Sequence, residues 1–122
     1  MKTILKSEEL AQLSIAVYAL YLQPIHIFWG LWMILFFAPD LGMLGYLINT
    51  KVGAIVYNLF HHKLIAILIA ALGFFLANSV LLLIGILLFA HASFDRMMGY
   101  GLKYDDSFNH THLGMVGENS KD

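Results

Sequence analysis

Four long apolar stretches alternate with short polar segments along the chain. Their length and composition predict helices over Leu10–Leu22, Ile25–Ala38, Val52–Phe75 and Val80–Met98. The first two are only about 14 residues each, short against the roughly 20 residues that span a bilayer. Pro24 separates them, and it either kinks one long helix or begins the return arm of a tight hairpin.

Polar segments with turn residues separate the later helices. Pro39–Gly53 is rich in turn residues and predicts a loop. Asn49 or Thr50, near the end of this loop, is expected to cap the third helix. Ala77–Ser79 is the turn signal before the last helix. The polar, glycine-bearing tail Gly99–Asp122 is too short for a second domain. The pattern therefore predicts one all-α domain over residues 1–122, a small helical membrane bundle of about four transmembrane helices.

Composition strengthens the membrane prediction. The chain has 122 residues, of which 60% are hydrophobic and 12% charged, with a mean hydropathy of +0.75. A chain this short and apolar cannot bury its excess apolar surface in one small globule. The net charge of −1 argues against nucleic acid as a partner. Because there is no cysteine, disulfides and thiolate zinc sites are excluded.

The distribution of lysine and arginine favours the hairpin at Pro24. With a hairpin, all lysines and arginines except Lys63 fall on one face, among them Lys2, Lys6, Lys51, Arg96 and Lys103. The positive-inside rule makes that face cytoplasmic. A kinked first helix would instead send Lys2 and Lys6 to the far side. We therefore expect an inner-membrane, multi-pass protein with both termini in the cytoplasm.

In this topology, polar residues far apart in sequence converge near the cytoplasmic face. Ionisable groups at membrane depth are costly and face the bundle interior or a cavity. The expected cluster consists of Asp40, Asn58, His61, His91 and Asp95. Four of these supply the N and O donors of a divalent metal site, zinc being favoured: Asp40, His61, His91 and Asp95. Asp40, Asn58 and Lys103 are the candidate catalytic residues.

A structural interpretation of the same residues is also open. His91 and Asp95 are one helical turn apart, so they can simply bond to each other at a helix end. His62 and His26 are expected outside the cluster. His110 and His112 alternate in the tail, so both would point the same way if that segment is extended.

Glycines after the last helix predict a lid. Gly99 and Gly101 can take positive φ and end the helix, so that the Gly99–Tyr104 segment bends back over the cluster. The aromatic side chains of this segment need somewhere to bury. Lys103 would then lie near the carboxylates of Asp40 and Asp95. The competing prediction is a helix that continues into solvent.

Four sequence runs resemble a family of small bacterial integral membrane proteins of unknown function: "PDLGMLGYL", "GAIVYNLFHH", "HASFDRMMGYGLKY" and "THLG". The resemblance covers most of residues 39–114 and implies a multi-helix membrane protein. A looser similarity is to membrane-bound metal-dependent hydrolases, which also combine a Pro-Asp turn, a helix-borne histidine and a late His/Asp pair. The chain lacks the Arg-Gly-Thr-His-Ser-type helix motif common in that group.

Three classes of function follow from these observations. The first is an intramembrane metal-dependent hydrolase that acts on a lipid-like substrate. The second is a small transporter or ion-relay component that uses the same polar groups. The third is a structural or partner-binding membrane protein. The expected partners are the lipid bilayer and a lipid-like substrate, with homo-oligomerisation left open.

Overall fold

The computed structural model describes residues 1–116 of the chain. Five α-helices and one 3₁₀ segment make an all-helical bundle, which confirms the predicted fold class. The helices are α1 (Lys2–Tyr21), α2 (Trp29–Phe37), α3 (Thr50–Phe60), α4 (Lys63–Phe75) and α5 (Ser79–Met97). The 3₁₀ segment is Ala38–Leu47, and a two-stranded antiparallel ribbon, β1 (His110–Thr111) and β2 (Gly114–Met115), closes the described part of the tail.

Two segments are long and apolar enough to cross a membrane, namely Trp29–Leu47 and Ser79–Met97. Helices α3 and α4 add a third if they form one span bent by 44°. Helix α1 is not among them because Lys6, Glu8 and Glu9 lie in its first half. The surface is strongly apolar, with side chains such as Phe75 82% exposed, as expected for a protein surrounded by lipid.

Helix α1 begins at Lys2, well before the predicted start at Leu10. Its charged first half is helical because lysine and glutamate are good helix formers. Contacts with the start of α4 also support it. The ammonium of Lys63, at the start of α4, binds the carboxylate of Glu9 and lies 2.6 Å from Oε1 of Gln12. This contact accounts for the position of Lys63, the lysine that was predicted to lie away from the other basic residues.

The chain reverses at residues 22–28, which include Pro24. Helices α1 and α2 both pack along α5, where Ala16 and Leu20 meet Leu83 and Leu87. Helix α2 begins at Trp29 rather than Ile25, because residues 25–28 are non-helical and Ile25 packs against this core from the connection. The arrangement is the hairpin rather than the kinked helix.

The predicted third helix is broken near its middle. Helix α3 ends at Phe60, His61 takes a non-helical conformation (φ −115°, ψ 13°), and α4 begins at Lys63. The side chain of Asn49 caps α3, as predicted, and His62 accepts a hydrogen bond from Leu64 N to cap α4. The predicted loop after Pro39 is instead the 3₁₀ segment, which packs on α3.

Candidate metal centre

Three separate elements bring two histidines and two aspartates together. Asp40 lies in the first turn of the 3₁₀ segment, directly after Pro39. His61 lies at the break between α3 and α4, while His91 and Asp95 lie one turn apart near the end of α5. One ligand atom from each of these four residues, hereafter the His/Asp cluster, lies within 4.8 Å of the other three.

The spacing inside the His/Asp cluster matches that of ligands around one small ion. His91 Nε2 lies 3.0 Å from Asp40 Oδ1, 3.1 Å from His61 Nε2 and 3.5 Å from Asp95 Oδ1. His61 Nε2 lies 3.4 Å from Asp40 Oδ1 and 3.1 Å from Asp95 Oδ2. Zinc bonds of about 2.0–2.2 Å in a tetrahedron separate the ligand atoms by roughly 3.3–3.6 Å. The distances between these donor atoms are therefore close to those expected around a bound zinc ion.

Backbone carbonyls fix which nitrogen of each histidine faces the centre. His91 Nδ1 lies 2.7 Å from the carbonyl oxygen of Phe36, in the last turn of α2. His61 Nδ1 lies 2.9 Å from the carbonyl oxygen of Tyr57. A carbonyl only accepts, so each Nδ1 carries a proton, and a neutral ring then has a free lone pair on Nε2. Both lone pairs point into the cluster, as metal-ligating histidines require.

Further side chains hold the ligands in place. The Tyr57 hydroxyl donates a hydrogen bond of 2.9 Å to Asp95 Oδ2, and its ring stacks on that of His61 at 3.8 Å between centroids. The guanidinium of Arg96 donates to the carbonyl oxygen of His61 at 3.3 Å, which satisfies a backbone group at the helix break. These contacts restrict the orientations of His61 and Asp95.

The His/Asp cluster is buried on most sides and open at one. His61 and His91 are 2% and 0% exposed, and the rings of Phe36 and Phe37 flank His91 at 5.4 and 6.2 Å between centroids. The side chain of Asp40 is 36% exposed. Water or a substrate can therefore approach the cluster at Asp40, beside an apolar wall.

Comparison with known proteins gives a family but no activity. A family model described as a domain of unknown function, DUF4260, matches residues 2–116. The chain belongs to this family. No curated protein and no solved structure matches the chain.

Asn58 of this DUF4260 member does not join the cluster, although the sequence predicted that it would. Its amide nitrogen donates to the carbonyl oxygen of Lys103 at 2.9 Å, and its oxygen accepts from Lys103 N at 2.7 Å. This paired contact ties the segment after α5 to α3. The hydrogen bonds of this side chain therefore go to the backbone of Lys103 and not to the four cluster residues.

Lys103 lies beside the cluster but makes no ion pair with Asp40 or Asp95 within residues 1–116. Within the described residues, its ammonium is buried without a hydrogen-bond partner and faces the aromatic rings of Phe108, Tyr57 and Tyr100, 4.0, 4.8 and 5.7 Å from their centroids. Burial lowers the pKa of Lys103 to about 8. Asp95 is near enough to oppose the lowering of this pKa, so Lys103 lies near a carboxylate as expected, but aromatic rings surround its ammonium and it forms no ion pair among the described residues.

The segment after α5 folds back, as a lid would, and does not continue as a helix. Gly99 has φ 94°, and Tyr100 N donates to the carbonyl oxygen of Asp95 at 2.8 Å. The expectation of positive φ at Gly101 is wrong. Gly101 is needed for space, since an added Cβ would lie 2.7 Å from His112 Nδ1. The last part of the predicted tail, residues 117–122, lies outside the described residues.

The remaining histidines of this DUF4260 member are elsewhere. His62 caps α4, and His26 lies in the connection between α1 and α2. His110 Nδ1 lies 2.9 Å from the carboxylate of Asp106, and His112 Nδ1 accepts from Leu102 N. Of the six histidines, only His61 and His91 are therefore positioned to share an ion with Asp40 and Asp95.

Sequence reasoning missed Tyr57 and Arg96. A signal existed for Tyr57, because it lies four residues before His61 on the same helix and such pairs share a face. Arg96 was assigned only to the charge distribution. Its contact with the His61 carbonyl depends on the break between α3 and α4, which the sequence did not predict.

Proposed function

We propose that this protein is a membrane-embedded, zinc-dependent hydrolase of a lipid-like substrate. The observation that carries the proposal is that the Nε2 atoms of His61 and His91 lie 3.0–3.5 Å from each other and from the carboxylates of Asp40 and Asp95. Two anionic carboxylates beside two neutral imidazoles leave a charge near −2, which a divalent cation balances. His61, His91 and Asp95 are the buried donors, and Asp40 completes the set at the open side.

The chemistry follows from the donor set. Two histidines and a carboxylate are the ligands of several catalytic zinc sites, in which a further position remains open. A zinc ion held there would act as a Lewis acid and make water a nucleophile near neutral pH. Asp40, as the exposed member, is placed either to ligate the ion or to accept a proton from water.

The position of the cluster supports a lipid-like substrate. It lies near one end of the span Ser79–Met97, and the apolar rings of Phe36 and Phe37 lie against His91. A substrate that diffuses in the bilayer would present its polar group at this depth. The positive-inside rule further supports the assignment of this end to the cytoplasmic side of the inner membrane.

Hydrolysis of model substrates tests the proposal. We expect detergent-purified protein to hydrolyse para-nitrophenyl laurate or bis(para-nitrophenyl) phosphate, to lose activity with a chelator and to regain it with Zn²⁺. His91→Ala should be inactive. His62→Asn is the matched control, because it changes a neighbouring histidine, keeps a capping side chain and leaves the cluster intact. Equal activity before and after chelation would contradict the proposal.

An ion or proton relay is the second candidate, because the polar groups form a continuous chain from Asp40 through His91 and His61 to Asp95. In that account, two imidazolium ions balance the two carboxylates and no metal is needed. Both Nδ1 atoms bond to backbone carbonyls, so protons could not pass through either ring without breaking these bonds. A stoichiometric metal would exclude the relay as the primary function.

A further inference from the structure

A cavity with both apolar and basic residues in its wall lies between the start of α1 and the end of α5. Its volume is about 240 Å³, and its wall includes the basic side chains of Lys2, Lys6 and Arg96. None of the four cluster residues lines it. The overall net charge of −1 therefore conceals a local concentration of positive charge.

The charge balance of the cavity is positive. Among the described residues, Glu9 is the acidic residue in its wall, and the carboxylate of Glu9 already binds the ammonium of Lys63. Lys6 and Arg96 thus share this part of the wall with one carboxylate that already has a cationic partner. Field lines are focused in a concave site with low-dielectric walls, so an anion is attracted more strongly here than at an open surface.

Neutral donors add to the cationic groups. His112 also lines the cavity, and its Nδ1 accepts a hydrogen bond of 2.9 Å from Leu102 N. In the neutral ring, the proton must then be on Nε2, which makes that atom a donor. Arg96 spends one of its N–H groups on the His61 carbonyl at 3.3 Å, and a guanidinium has five.

The cavity also lies at the depth of lipid headgroups. Arg96 is in the last turn of the apolar span Ser79–Met97, and the polar segment begins at Gly99. The side chains of Leu5 and Leu113 supply an apolar part of the wall. A mixed site with cations and an apolar side at the membrane boundary suits an amphiphile with an anionic head.

We propose that this cavity binds a phosphate-type oxyanion, carried by the headgroup of an anionic membrane lipid or by free phosphate. Lys6 and Arg96 contact its oxygens, and His112 donates from Nε2. The site shares none of the four cluster residues and does not need an ion in the cluster, although Arg96 also donates to the His61 carbonyl.

Calorimetric titration of the protein in dodecyl maltoside tests the site. The probes are dioctanoyl phosphatidylglycerol, dioctanoyl phosphatidylcholine and inorganic phosphate, each with and without a chelator. We expect saturable binding of phosphatidylglycerol that exceeds that of phosphatidylcholine by about tenfold, or 1.4 kcal/mol. Inorganic phosphate that binds as tightly as phosphatidylglycerol would assign the site to the free anion and also support it.

Matched lysine variants separate a site from diffuse attraction. Lys6→Gln should weaken binding by about fivefold, the equivalent of ~1 kcal/mol per lysine. Lys51→Gln makes the same charge change at an exposed residue outside the cavity and should have no effect. Equal loss in the two variants, or equal binding of phosphatidylglycerol and phosphatidylcholine, would overturn the proposal. A chelator should change neither result.

Discussion

The Nε2 atoms of His61 and His91 face each other at 3.1 Å, although each ring already directs its Nδ1 at a backbone carbonyl. Two neutral imidazoles arranged in this way present lone pair to lone pair and do not attract each other. The contact becomes favourable when a cation lies between the rings, which is the central claim of the metal proposal.

The Tyr57 hydroxyl is expected to tune that centre through Asp95. Tyr57→Phe keeps the ring that stacks on His61 and removes only the hydrogen bond to Asp95 Oδ2. Loss of a partner that orients a ligand typically weakens metal binding by roughly 10–100-fold. Competition with a chromogenic zinc chelator would measure this change.

Tyr46→Phe is the matched control for that experiment. The Tyr46 hydroxyl is also buried, but it has no hydrogen-bond partner within residues 1–116. Its removal should leave zinc affinity unchanged and should not lower stability, because a buried hydroxyl without a partner is a cost to the folded state. Equal effects of the two variants would show that the Asp95 contact does not matter.

Burial of Lys103 predicts a dependence of stability on pH. The folded-state pKa of Lys103, about 8, is below its ordinary value of 10.5, so the folded state releases this proton first. Stability should therefore rise as pH increases from about 8 to about 10.5, by on the order of 3 kcal/mol. Thermal melting of the wild type across this range measures the effect.

Lys103→Met supplies the comparison, because methionine keeps the length of the side chain and cannot be charged. The variant should lack this part of the pH dependence and should be the more stable protein at pH 7. A wild type and a variant whose melting temperatures change in parallel with pH would contradict the account of Lys103.

The two glycines after α5 are expected to respond differently to substitution. Gly99 has a left-handed φ of 94°, which asparagine tolerates better than alanine. Gly99→Asn should therefore cost less than Gly99→Ala, for which we expect a loss of about 1 kcal/mol or more.

Gly101 should show no such preference, because its constraint is the contact with His112. Every residue other than glycine has a Cβ, which would contact the His112 ring at this position. Gly101→Ala and Gly101→Asn should therefore both reduce stability. Chemical or thermal unfolding of the four variants would measure this. A stabilised Gly101→Ala protein would show that the segment can continue as a helix.

Membrane orientation is a separate prediction. Residues from the start of α1 and from the end of α5 line the same cavity, so Lys2, Lys6 and Arg96 lie at the same end of the bundle. The positive-inside rule places this end in the cytoplasm. Reporter fusions at the two termini should both report a cytoplasmic location. A periplasmic signal from either end would reject this orientation.

The four residues of the His/Asp cluster could be proposed from sequence because each is an ionisable residue in or beside an apolar helix, where solvation by lipid is unfavourable. The same rule failed for Asn58, whose partner is the backbone of Lys103. A backbone partner cannot be recognised from the residue types in a sequence. A polar residue that connects two segments through backbone hydrogen bonds therefore resembles a site residue when only the sequence is known.

The break at His61 was also invisible in the sequence. Neither proline nor glycine marks it, and the surrounding residues read as one helix from Val52 to Phe75. A local cap and a tertiary contact support the break: His62 accepts from Leu64 N at the start of α4, and Arg96 donates to the His61 carbonyl. The Arg96 contact exists only once α5 has packed against the rest of the bundle.

Metal content of the detergent-purified protein tests the central claim most directly. Elemental analysis should find close to one zinc per chain in the wild type and in His62→Asn. His61→Ala should lose most of it while it remains folded and monodisperse by size-exclusion chromatography. A wild type that stays without bound metal after incubation with zinc, or a His61→Ala protein with the same zinc content, would contradict the account.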